Sequence, residues 1–329
     1  MTFNDDARLD TSQVEAGGRG GGGFGGGGFG GGGGGRFPGG IRLGGGLGGL
    51  ILLVLVLIFG GQSILGGDGS GDAASSGSDP GARQLEPGQV TAGGQVPDSS
   101  FAQCRTGADA NRHDVCLVVA TVNSVQDYWA RQLPRYGRSY QPARTVIFSG
   151  STPSGCGTAS SAVGPFYCPL DRKVYIDAAF FTELANRFGA DGGALAKEYV
   201  IAHEYGHHIQ NLLGILGRAQ QDPQGANSGA VRIELMADCL AGTWVHHATT
   251  TKDRDGVTLM KPISQRDVAS ALSAAAAVGD DRIQQAARGR VSPETWTHGS
   301  AQARQGWFMQ GYRTGDLNRC DTFAVGTVE

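Results

Sequence analysis

From Gly17 to Gly49 the chain is dominated by glycine, interrupted by Phe24 and Phe29 in a repeated GGGF pattern. Glycine loses more backbone entropy on folding than any other residue, and so few apolar side chains offer little burial in return. Residues 1–42 are therefore expected to be a disordered tail, and the fold must be built from residues C-terminal to it.

The next stretch, "LGGLILLVLVLIFGG" from Leu47 to Gly61, sits in a run from Leu43 to Gly67 with no charged residue. That length suffices for one helix across roughly 30 Å of hydrocarbon, so residues 43–65 are expected to form a transmembrane helix. Arg36 and Arg42 precede it, whereas Asp68, Asp72 and Asp79 come after it and before the first basic residue, Arg83. Positive flanks stay in the cytoplasm, which predicts a cytoplasmic N-terminus and an extracytoplasmic body in a single-pass membrane protein. Residues 66–100, rich in Gly, Ser, Asp and Pro, read as a flexible linker.

Residues 101–329 are expected to be the folded domain. Their charge is nearly balanced, 22 basic against 21 acidic residues, which gives no footprint for nucleic acid. All six cysteines fall here, and none makes a C-x-x-C pair. An even count in an exported domain favours disulfides. Cys104/Cys116 and Cys156/Cys168 share one short spacing and are expected to pair locally, leaving Cys239 with Cys320.

Apolar residues recur at helical spacing at Val118, Val122, Val125, Trp129 and Leu133, and "RTVIFSG" reads as a strand. "AVGPFYCPLDRKVYID" reads as two strands joined at Pro169 to Lys173. "AAFFTELANRFG" is a helix stopped by Gly189, and Asp191 is placed to cap a long helix reaching about Gly214 or Gly217. Further helices start near Asn227 or Ser228, at the Ser-x-x-Asp capping box of Ser264, and at Ser300. A small sheet ahead of several helices makes the class α+β.

Within the long helix, His203, Glu204 and His207 form H-E-x-x-H. Positions four apart share one helical face, with Cβ atoms ~5–6 Å apart, so two imidazoles reach one Zn²⁺. Glu204 lies about 100° further round, out of reach as a third ligand but able to meet a water beside the metal. A histidine six residues after the motif would complete one known ligand set, but that position is Leu213. The other known solution is a carboxylate on a later helix. "RIELMADCLAG" offers Glu234 as third ligand, with Asp238 one turn on to orient a ligand histidine; the reverse assignment stays open. His208 lies outside the motif and reads as a bystander.

H-E-Y-G-H-H-I-Q followed by E-L-M-A-D-C-L-A-G-T-W resembles the bacterial neutral zinc metallopeptidase family of membrane-anchored peptidases. "GPFYCPLDRKVYID", "THGSAQARQGWFMQGYRTGD" and "CDTF" resemble it too, over roughly residues 101–329. The Glu-x-x-x-Asp element is similar to the gluzincin type of zinc peptidase, where the Glu binds metal and the Asp supports a histidine. The resemblance implies a zincin-like fold, whose edge strand aligns substrate backbone, and "KVYID" is the nearest match for that strand.

The chemistry so predicted is hydrolysis of a peptide or protein substrate with one zinc per chain and Glu204 as general base. His298 and Tyr312 are the options for a transition-state donor, with Tyr205 less suited because it lies in the motif helix. The rival class is a catalytically silent, zinc-stabilised extracellular binding or scaffold domain. It has no use for Glu204, since a structural site needs no base.

Overall fold

The structure, a computed structural model, describes residues 2–18 and 101–329. The expected span at 43–65 and linker at 66–100 lie outside the described residues, as does most of the glycine tract. Among the described residues no helix is long and apolar enough to cross a membrane.

The chain's first strand corrects the expected tail. Val14–Ala16 forms strand β1, and Phe3 and Ala7 are buried with Val14 in the main core. Glycine dominates only from Gly17 onward; the residues before it carry apolar side chains and offset their ordering entropy through burial.

After a short helical turn at Gly107–Ala110 come helix α1 (Asp114–Gln132), β2 (Arg144–Phe148), a hairpin of β3 (Ser151–Ser154) and β4 (Gly157–Ser160), β5 (Phe166–Cys168) and β6 (Lys173–Asp177). The main sheet runs β1-β2-β6-β5, parallel for the first two pairings and antiparallel for β5 with β6. Its side chains alternate between two cores, as the two-residue period of a strand requires. Ile147, Val174, Ile176 and Tyr167 face the helices, whereas Val146, Phe148, Phe166 and Tyr175 face the β3–β4 hairpin. "KVYID" is β6, which is paired on both sides, so it is not the edge strand; β5 takes that place.

The longer helices of the helical half are α2 (Phe180–Asn186), α3 (Ala194–Leu212), α4 (Gly229–His247), α5 (Gln265–Ala277), α6 (Asp280–Arg288) and α7 (Ala301–Thr314), with a short turn of helix at Arg218–Gln221 between α3 and α4. Ser228 caps α4 through Val231 N, Ser264 and Asp267 form the capping box of α5, and Ser300 caps α7 through Ala303 N. Gly193, not Asp191, is the cap of α3; Asp191 instead accepts from Gly193 N and from Ser270 Oγ on α5. The disulfides join Cys104–Cys116, Cys156–Cys168 and Cys239–Cys320, as the spacing predicts.

Glycines set how closely α4 meets its neighbours. A Cβ on Gly242 would sit 2.0 Å from Phe308 O, and one on Gly311 would sit 1.9 Å from Cys239 O. The α4–α7 crossing is therefore backbone against backbone, which fixes the depth at which α4 presents its carboxylates. On the other side Gly206, inside the H-E-x-x-H motif, lets α3 approach Ala237 of α4; a Cβ there would meet Ala237 Cα at 3.0 Å.

Candidate metal centre

His203 and His207 project from one face of α3 toward α4. Glu234, in the first half of α4, receives both: its Oε2 lies 3.2 Å from His203 Nε2 and its Oε1 lies 3.5 Å from His207 Nε2. All three side chains are buried, and their ligand atoms fall within 4.8 Å of one another.

The partners on the far side of each imidazole decide what this cluster can hold. His203 Nδ1 is 2.8 Å from Asp238 Oδ1, an acceptor that requires the ring hydrogen at Nδ1. His207 Nδ1 is 2.9 Å from Gln210 Oε1, and Gln210 Nε2 donates to Ile233 O at 2.6 Å, so the Gln210 oxygen is also an acceptor. Each Nε2 is then left facing a Glu234 oxygen. Burial lowers the His203 pKa, but Asp238 and Glu234 outweigh it and raise it to about 10, so this dry cluster calls for a cation between the imidazoles and the carboxylate, either a shared proton or a metal ion. The donor set, two imidazole nitrogens and one carboxylate, is that of a zinc site with a position left open for water or substrate. Glu234, not Asp238, shares this cluster with the two histidines, while Asp238 sits behind His203 at its Nδ1.

Electrostatics agree with those roles. Burial pushes the Glu234 carboxyl up, but His207 and His203 more than offset this and hold it well below the usual carboxylate range. Burial likewise raises Asp238, and Arg304 and His203 bring it below its ordinary value. Glu204 is different. Burial lifts its pKa, the two histidines oppose that, and Glu234 adds to it, leaving the carboxyl above its ordinary value. A carboxylate poised nearer neutrality suits a proton acceptor.

Asp238 is fully buried and satisfied by three side chains. Its Oδ1 accepts from His203 Nδ1, from the Tyr199 hydroxyl and from Arg304 Nη2 at 3.0 Å; its Oδ2 accepts from Arg304 Nε at 2.9 Å. Sequence reasoning missed Arg304, Tyr199 and Gln210. Gln210 stands three residues after the motif's second histidine, and an amide at that distance on one helix face is the signal that could have found it.

Of the two expected donors, the structure brings in one. His298 borders the same cavity as His203, Glu204, His207 and Glu234. Its backbone N–H and those of Thr297 and Gly299 donate to Asp280 Oδ2 at 2.7, 2.7 and 3.1 Å, and its Nδ1 is 3.3 Å from Asp280 Oδ1. Burial lowers the His298 pKa, but the Asp280 carboxylate outweighs it and the net shift is upward. Tyr312 is not in this cavity. Its ring stacks on Phe308 and its carbonyl accepts from His246 Nδ1, so that expectation fails because the residue faces the α4–α7 packing. Tyr205 bonds Thr145 Oγ1 at 3.0 Å, under the sheet. His208 is packed, with Nε2 donating to Gln141 O and Nδ1 accepting from Tyr167.

The cavity's remaining wall is largely apolar: Val163, Phe180, Phe188, Val200, Val278 and Ile283. Gly164, Pro165 and Phe166, leading into β5, form one rim.

Over residues 8–323 the chain matches the family described as "Putative neutral zinc metallopeptidase". The match begins inside the N-terminal segment, well ahead of the boundary at residue 101 that the motifs alone suggested. Among curated relatives, an uncharacterised protein of Mycobacterium tuberculosis (strain ATCC 25618 / H37Rv) is 57% identical over 231 residues, covering 70% of this chain and 78% of that protein. The uncharacterised protein YpfJ of Escherichia coli (strain K12) is 39% identical over 289 residues, covering 86% of this chain and 89% of that protein. No solved structure matches the chain. By motif, ligand geometry and sequence match together, the chain belongs to the neutral zinc metallopeptidase family.

Proposed function

We propose that this protein is a zinc-dependent peptidase that hydrolyses peptide bonds, with His203, His207 and Glu234 holding one zinc ion and Glu204 as general base. The observation that carries the reading is the convergence of the His203 and His207 Nε2 atoms on Glu234, each ring held from behind at Nδ1, while Glu204 remains outside that group in the same cavity. A zinc ion held there supplies Lewis-acid activation of water and of the scissile carbonyl.

The chain's own groups do the rest. Asp238 and Gln210 hold the two imidazoles by their Nδ1 atoms, so that the ligands keep one orientation through turnover. The Glu204 carboxylate takes the proton of the attacking water and returns it to the leaving amine nitrogen. His298, anchored by Asp280 and carrying a raised pKa, donates toward the oxyanion of the tetrahedral species. The free edge of β5 offers backbone groups to an extended substrate, which the adjoining rim at Gly164–Phe166 leads toward Glu204. The apolar wall favours a peptide with an aliphatic or aromatic residue next to the cleaved bond. The three disulfides support an extracytoplasmic location for this body.

The test is cleavage of a diverse peptide mixture by the full chain loaded with one zinc, with new termini read by mass spectrometry and Glu204→Gln in parallel. The parent alone should cleave, and Glu204→Gln should still bind zinc. Turnover by both proteins, or by neither with zinc bound, would overturn the assignment.

A further inference from the structure

We infer that the β2 edge and the adjoining face of α1 form a docking groove whose occupant is residues 2–18 of this same chain, and that residues 2–18 and 101–329 therefore lie on the same side of any membrane. The pairing is specific. Val14, Glu15 and Ala16 run parallel to Thr145, Val146 and Ile147, and Gly17 N donates to Ile147 O at 2.8 Å. Two asparagines read the backbone of the segment as a further strand would. Asn111 Oδ1 accepts from Phe3 N at 2.9 Å while its Nδ2 donates to Phe3 O at 3.0 Å. Asn123, on α1, does the same for Asp10, at 2.7 and 2.9 Å.

The groove is shaped for the segment as well as bonded to it. A Cβ on Gly107 would fall 1.9 Å from Asn4 O, so only glycine lets the segment pass there. Phe3 is 1% exposed and Ala7 fully buried, within the core that contains Trp129 and Tyr199. Removing the segment would leave Asn111 and Asn123 facing a vacant channel and open the main core to water.

Hydrogen-bonded strands sit ~4.8 Å apart, whereas a bilayer's hydrocarbon is roughly 30 Å thick. An odd number of crossings between Gly18 and Phe101 is therefore excluded. The uncharged run from Leu43 to Gly67 is one span long, and one crossing is what the docking forbids. This replaces the arrangement with the N-terminus inside and the body outside.

The experiment places single cysteines at exposed positions, Asp6→Cys and Arg138→Cys, in the full chain expressed in bacterial cells. Each is labelled with a membrane-impermeant maleimide in spheroplasts and again after lysis. Both positions should respond alike. Labelling of Arg138→Cys before lysis and of Asp6→Cys only afterwards would overturn the inference. Thermal melting of Phe3→Ala supplies the second readout. Docking predicts a Tm lower by roughly 6–20 °C, or a chain that no longer folds. An unchanged Tm would mean the segment is not docked. The milder Phe3→Leu should shift Tm in the same direction.

Discussion

The guanidinium of Arg304 donates to both carboxylate oxygens of Asp238, through Nε at 2.9 Å and Nη2 at 3.0 Å, with both residues buried. Asp238 in turn holds His203. Arg304→Met leaves a buried carboxylate whose strongest compensating charge is gone, and the position of His203 loosens with it. Zinc affinity should fall by about 10–100-fold, the usual cost of losing an outer partner of a metal ligand. Competition against a chromophoric chelator measures this. Arg304→Lys should not restore affinity, because an ammonium cannot make the two-point contact. Parent-like zinc binding in Arg304→Met would mean that Tyr199 alone suffices to fix Asp238.

His208 supplies a pH dependence of stability. Burial depresses its pKa to about 4, its Nε2–H is committed to Gln141 O, and Nδ1 accepts from the Tyr167 hydroxyl. The fold therefore prefers the neutral ring, whereas the unfolded chain binds a proton near pH 6.5. Between those values the unfolded state holds more protons, so stability rises with pH. The contribution is fully present above pH 6.5 and is lost as the pH falls toward 4, on the order of 3 kcal/mol in all. Urea melts of parent and His208→Gln across that range should show a steeper acid loss in the parent. Parallel pH profiles would show that the ring is not held neutral.

Glycine at the α4–α7 crossing should resist substitution. Ala gains about 1 kcal/mol over Gly inside a helix, while overpacking costs about 1–3 kcal/mol or more. At Gly242 the added carbon would lie 2.0 Å from a backbone oxygen that cannot rotate away, so the clash wins and Tm drops. At Gly206 the nearest contact is 3.0 Å, and helix gain and crowding come closer to balance. There the expected change is weaker zinc binding, as α3 and α4 are pushed apart, with a smaller change in melting. Differential scanning calorimetry of Gly242→Ala and Gly206→Ala, with and without zinc, separates the two.

What the sequence made legible is what repeats along a helix. His203, His207, Glu234 and Asp238 are spaced four apart in pairs, so their convergence follows from helical geometry once two helices face each other. The local disulfides followed from equal spacing, and the caps at Ser228, Ser264 and Ser300 from local hydrogen bonding. Arg304 was not legible, since in "AQARQGWF" it reads as one more solvated helix charge, and its partner is remote in sequence. Strand order was hidden too: alternation in "FYC" and "KVYID" shows that both are strands, not which one ends the sheet. The three residues of β1 are too few to announce themselves ahead of a glycine tract, and they are held by pairing with Thr145–Ile147 of β2, which no local pattern connects to them.

The Cys156–Cys168 bridge closes a ring of chain that contains β4, the rim at Gly164–Phe166 and β5. One wall of the cleft is thus a covalent loop, seated through Val163, Phe166 and Cys168 on its own small core. On the proposed peptidase reading, a substrate strand at that wall would meet a surface already ordered, so little of its binding energy would go into arranging the receptor. Selectivity there would then rest on the fit of the peptide to a fixed template, and sequences unable to extend along it would be turned away at the outset.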